Sequence, residues 1–146
     1  MLSQFMVGAA ISMCNITIHA LLMFVVVQVV HRTRAFAYAN RALLLNGVMV
    51  AAVSVLMAAH TLEVFVWSLG YLLVGAVPPG GSLMYFAFVN YTTLGYGDII
   101  PVKDWQLLGP MAAMNGVLLF GWSTAVIFEV LRRTVAHTPG FELTKS

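Results

Sequence analysis

The chain has 146 residues, of which 61% are hydrophobic and only 8% charged, with a net charge of +2. A water-soluble domain carries about 25% charged residues, so the composition excludes an ordinary globular protein in water, and the small net charge gives no ground for nucleic-acid binding. The lone cysteine, Cys14, excludes an intrachain disulfide, and the length suggests a single domain.

Residues 5–30 are uncharged and nearly all apolar. As a helix they would span roughly 39 Å, enough to cross a hydrocarbon core of about 30 Å with some tilt. The segment lacks the basic start of a cleaved signal and is long for its apolar core, so it is expected to be a transmembrane helix. Ser12, Asn15 and His19 share one face of it, which points to buried hydrogen bonds to another helix. It carries no arginine series of the voltage-sensing kind. A basic loop with Arg32, Arg34 and Arg41 follows.

The second apolar stretch, 42–77, is broken by His60, Thr61 and Glu63. Fully helical, it would reach roughly 54 Å, more than one crossing. An outer helix over about 42–69 is expected, with 70–77 bending along the outer surface. Residues 83–89 are apolar but far too short to cross, and a glycine-rich stretch follows. That pattern predicts a re-entrant half-helix and loop, since irregular backbone at membrane depth must be buried in protein or line a wet path. The last long apolar segment begins near Trp105, ends at Arg132 and Arg133, and leaves a short tail, 134–146. Of the seven lysines and arginines, only Lys103 lies between the second and last spans. The positive-inside rule therefore puts the basic loop and the C-terminal tail in the cytoplasm, and the N-terminus and re-entrant loop outside.

The chemistry is concentrated in Thr92, Thr93, Leu94, Gly95, Tyr96, Gly97 and Asp98. A potassium ion passes quickly only if protein oxygens replace its hydration shell with similar number and strength. Successive rings of backbone carbonyls can do so, but each peptide must then turn its C=O inward, and glycine reaches the angles this needs at little steric cost. Gly95 and Gly97 alternate with Leu94 and Tyr96, whose side chains would pack outward, and the Thr93 hydroxyl would add an oxygen ring at the inner mouth.

This string resembles the selectivity filter of the potassium-channel pore-domain family, with leucine where the family's commonest filter has valine. The resemblance is nearest to the small bacterial channels and covers about residues 42–133. It implies an all-α membrane protein with three transmembrane helices per subunit, a re-entrant pore helix and a filter loop. Four identical chains would surround a central pore, because one chain supplies one filter and an ion needs four. Residues 1–41 are then an added transmembrane helix and basic cytoplasmic loop. The pore domain has an outer helix at about 42–69, a pore helix at about 81–92, the filter at 93–97 and an inner helix at about 105–133. Potassium would sit at the carbonyls of Thr93, Leu94, Gly95 and Tyr96. Thr92, Asp98, Tyr85, Phe86 and Trp105 would support the filter, with Phe88 as further aromatic packing. Several family members carry a glutamate behind the filter where Val89 stands here, so the resemblance leaves Asp98 without that partner; Tyr85 or Trp105 would supply a donor instead.

Gly116 falls near the glycine hinge of the family's inner helices; a gate hinge and close packing through a small residue are both consistent with it. Asn115 either faces the cavity or bonds a neighbouring helix. Ser123 and Thr124 are expected to bond back to their own helix. Glu129 is placed to pair with Arg132 or Arg133, or to ring the inner mouth. Counted from Arg41, His60 and Glu63 fall near the outer interface, as a structural hydrogen-bonding pair or as a pair sensitive to external pH; two such residues are too few for a metal site.

The expected function is passive, potassium-selective conduction by a homotetramer in the plasma (inner) membrane, with potassium as the permeant ion and no cofactor. The alternatives are a poorly selective cation channel and the membrane subunit of a potassium uptake transporter. No nucleophile–base pair suggests an enzyme.

Overall fold

A computed structural model describes residues 1–33 and 41–136. Arg34 in the basic loop, and the tail from 137 onward with Lys145, lie outside the described residues. Those described form four α-helices and no strand: α1 (Leu2–Thr33), α2 (Arg41–Val74), α3 (Leu83–Tyr91) and α4 (Leu108–Ala136), with a 3-10 turn at Lys103–Trp105. Segments Leu2–Gln28, Leu45–Val74 and Lys103–Arg133 are long and apolar enough to cross a membrane.

The second helix runs straight through Gly70 to Val74 rather than ending near Leu69. Gly70 serves packing: a Cβ there would lie 2.3 Å from the Ile11 side chain of α1. The stop comes at Gly75, whose φ of 63° takes the left-handed turn that glycine adopts without strain. Gly75 N donates to Leu72 O at 3.2 Å and Ala76 N to Tyr71 O at 2.9 Å. This is a Schellman cap, which satisfies carbonyls left over at the helix end. Pro78 and Pro79 then prevent any restart.

Ser82 caps α3 by accepting from Tyr85 N. The polypeptide returning from α3 is fastened to the end of α2 by Val102 N donating to Ala76 O at 2.9 Å. The inner helix starts at Leu108, three residues later than expected, because the 3-10 turn occupies Lys103–Trp105. Gln4 Oε1 accepts from Leu107 N at 3.0 Å and so ties the beginning of α1 to that of α4.

α1 packs on both α2 and α4, and α3 is held between α2 and α4. One apolar cluster surrounds α3 and includes Trp67, Tyr71, Phe86, Tyr91, Leu108 and Ala112. A second joins Met23, Val26, Ala52, Leu56 and Val130 near the opposite end. Between them lie the buried polar side chains Asn15, His19, Glu63, Asn115 and Ser123. Burial of polar groups in such a place is costly unless they bond one another; each of the five has such a bond, and Asn15 Oδ1 alone among their buried side-chain atoms is left without a partner.

Candidate functional site

The re-entrant loop is built directly on the end of α3. The last carbonyls of a helix have no partner within it, and here the following loop supplies one. Thr92 N donates to Phe88 O at 2.9 Å, Thr93 N to Asn90 O at 3.0 Å, Leu94 N to Val89 O at 2.9 Å and Gly95 N to Val89 O at 3.3 Å. No peptide bond among the described residues is cis. In a trans peptide the N–H and the preceding C=O point in opposite directions. With the N–H groups of Thr93, Leu94 and Gly95 turned to α3, the carbonyls of Thr92, Thr93 and Leu94 face away from it.

Positive φ recurs at every second residue: 61° at Thr93, 58° at Gly95 and 76° at Gly97. Glycine takes such angles freely, but a β-branched threonine there is strained, at a cost of about 1–3 kcal/mol. Residues 92–98 are all exposed on the single chain, Leu94 at 53% and Tyr96 at 68%. The Thr92 hydroxyl does not join the exposed carbonyls; it donates back to Phe88 O at 2.7 Å.

Around the loop, the Asp98 carboxylate beside Tyr85 holds the phenol's pKa above its ordinary value. Val89, buried under the loop, offers Asp98 no polar contact. Phe86 turns into the subunit, edge-on to Tyr71 with ring centres 5.0 Å apart. Phe88 points outward instead. Trp105 is half-buried against the apolar cluster around α3.

Beneath the loop, Tyr91 connects α3 to a cluster drawn from every long helix. The Tyr91 hydroxyl donates to Glu63 Oε2. His19 Nδ1 lies 2.7 Å from Glu63 Oε1, and His60 Nδ1 lies 3.0 Å from Glu63 Oε2. On the far side of the rings, Ser123 Oγ is 2.9 Å from His60 Nε2 and 3.4 Å from His19 Nε2. His19 and Glu63 are fully buried, and the His60 side chain is only 12% exposed.

This corrects the expectation that His60 and Glu63 sit near the outer interface. His60 is the sixteenth residue of the thirty in Leu45–Val74, the middle of the span. Counting from Arg41 misplaced it because α2 is longer than a bilayer is thick. Two further readings change with it. Ser123 is not bonded back to its own helix, whereas Thr124 is, to Phe120 O at 2.9 Å. Two residues seemed too few for a metal site, but α1 contributes a third candidate ligand, His19. The sequence did carry a signal: each of three spans has a polar or ionisable residue near its midpoint, and such groups must find one another in a membrane.

Asn15 Nδ2 donates to Glu63 O at 3.2 Å and to Asn115 Oδ1 at 3.1 Å, and Trp67 Nε1 donates to the same Asn115 oxygen at 3.1 Å. Asn115 is thus enclosed within the chain and bonded to its neighbours, so it does not present its amide to a cavity. Gly116 lies against the end of α3, where a Cβ would stand 2.1 Å from Tyr91 O. Among the two readings the sequence left open, close packing is the one the geometry fits; α4 is helical throughout at this point. Glu129 accepts from Arg132 Nε at 2.8 Å and also pairs with Arg133.

A family model described as an ion channel matches residues 57–133, more than half of the chain. Neither a curated protein nor a solved structure gives a significant match.

Proposed function

The chain belongs to this ion-channel family, and on that premise we propose that it is one of four identical subunits of a potassium-selective channel. Residues 93–97 are its filter, and potassium binds at the carbonyls of Thr93, Leu94, Gly95 and Tyr96. The observation that carries this reading is the commitment of three consecutive N–H groups to α3, which leaves the carbonyls of Thr92, Thr93 and Leu94 on the other face. Positive φ at alternate residues supports the same reading, because it keeps successive peptide planes facing one way.

Asp98, beside Tyr85, anchors the outer end of the filter. The C-terminus of α3 points toward the ion path, and its dipole favours a cation there. The distribution of basic residues supports a C-terminus in the cytoplasm and an N-terminus outside a plasma (inner) membrane. Conduction is passive, since a carbonyl filter needs only that ions bind well enough to enter and weakly enough to leave.

The test is a bilayer recording from the purified protein with potassium on one side and sodium on the other. Single-channel current with a reversal potential close to potassium equilibrium is expected. Equal permeability to the two ions would overturn potassium selectivity, and saturable, energy-dependent uptake without unitary current would point to a transporter subunit. Cross-linking in native lipid should stop at four chains; a persistent monomer would defeat the proposal.

A further inference from the structure

The polar cluster beneath the filter is more than a set of satisfied hydrogen bonds. Both imidazoles turn Nδ1 toward the Glu63 carboxylate and Nε2 toward one hydroxyl, that of Ser123. With both rings neutral and protonated at Nδ1, both Nε2 atoms are acceptors. Ser123 has one proton to donate, so one of its two contacts lacks a hydrogen. If both rings instead carry their proton at Nε2, Ser123 Oγ accepts from both with its two lone pairs. The bare Nδ1 lone pairs then converge on carboxylate oxygens, and something positive must stand between them.

We propose that His19, His60 and Glu63, joined by the Tyr91 oxygen, form a binding site for a divalent transition-metal ion of the zinc type. The ligand atoms of His19, His60 and Glu63 all lie within 4.8 Å of one another. Tyr91 Oη bonds to Glu63 and stands 3.0 Å from His60 Nδ1. Tetrahedral ligands at zinc bond lengths are separated by about 3.3 Å, so small side-chain shifts close the site. Two imidazoles select zinc or cobalt over magnesium or calcium, which prefer oxygen. Metal-bound histidines ordinarily donate their other N–H to an oxygen; Ser123 provides that oxygen for both rings. On binding, each ring moves its proton from Nδ1 to Nε2, with no net loss, and the Tyr91 proton passes to solvent as the phenolate takes its place on the ion. The carboxylate and phenolate together balance the dication, so the buried site carries no net charge. The ion would join α1, α2 and α3 at one point, immediately below Thr92. The assignment does not depend on which ion the channel conducts.

Purified protein in detergent, stripped with a chelator and titrated with cobalt and then zinc, tests this. The expected result is one cobalt per chain with the visible absorption bands of a four-coordinate N/O site, displaced by zinc. X-ray absorption on the zinc-loaded wild type should show two imidazole nitrogens and oxygen neighbours, a readout that needs no variant. His19→Ala, His60→Ala and Glu63→Gln should each weaken binding at least about tenfold, and Ser123→Ala about tenfold through its two rings. His31→Ala and His137→Ala should leave binding unchanged. A wild-type protein that binds no metal, or that loses it only when His31 or His137 is replaced, overturns the proposal. In that case a proton shared by the two rings is what completes the cluster.

Discussion

Replacing Gly116 with alanine separates a packing role from a hinge role. The added Cβ would lie 2.1 Å from Tyr91 O and 3.1 Å from Tyr91 C, against an ordinary contact of at least 3.4 Å. The obstacle is backbone, so no rotamer change relieves it; α4 and the end of α3 must part by about 1.3 Å. Overpacking of this kind costs about 1–3 kcal/mol. Alanine returns about 1 kcal/mol in helix propensity, so the net effect should be a loss of up to about 2 kcal/mol. Gly121→Ala is the control, since nothing lies within 4 Å of its Cβ position, and it should be neutral or stabilising. Thermal unfolding in detergent, with potassium flux from liposomes measured in parallel, reads both. The packing account expects Gly116→Ala to lower the unfolding temperature and to disturb flux by shifting the base of the filter. A variant as stable as the wild type, with impaired opening alone, would refute it and restore the hinge.

Other outcomes follow from the same geometry. Gly95→Ala meets no crowding, its nearest neighbour being Thr93 O at 3.9 Å, but at a φ of 58° an L-residue costs about 1–2 kcal/mol; selective flux should vanish while helix content by circular dichroism is kept. His19→Ala takes one partner from a buried carboxylate and should cost about 3–5 kcal/mol in denaturant unfolding, with His19→Ala plus Glu63→Gln costing less than the sum of the two single changes. The Asp98 carboxylate raises the Tyr85 pKa, so the stability this pair contributes is present below the phenol's ordinary pKa and is lost as pH rises through the raised value. Tyr85→Phe should therefore lower the thermal stability of the assembled protein at neutral pH, and the gap should close in strong alkali; a gap independent of pH would count against the contact.

What the sequence disclosed, and what it withheld, divide along a physical line. The three spans, the half-helix and the glycine alternation at Gly95 and Gly97 are local patterns, set by hydropathy and by the backbone angles a residue tolerates. The contacts Asn15–Asn115, His19–Glu63 and His19–Ser123 join residues 44 to 104 positions apart. They depend on how each helix is rotated about its axis, and nearly uniform apolar spans such as α2 give little sign of rotation. The break expected after Leu69 failed for a related reason. Gly70 and Gly75 look alike in sequence, yet one receives Ile11 and the other turns the chain. Thr93 is the opposite case, a β-branched residue where local preference argues against the angle it adopts.

The exposed loop from Thr92 to Asp98 bears on how the protein is made. On the proposed tetramer, a newly inserted chain that has not met its neighbours would hold carbonyls turned away from its own helices, at a depth where lipid offers no donor. Each such group costs several kcal/mol in hydrocarbon, on top of the torsional strain at Thr93. Orphan chains should therefore be short-lived, drawn together into complete particles or cleared by membrane proteases, and partly assembled intermediates should be scarce in the cell.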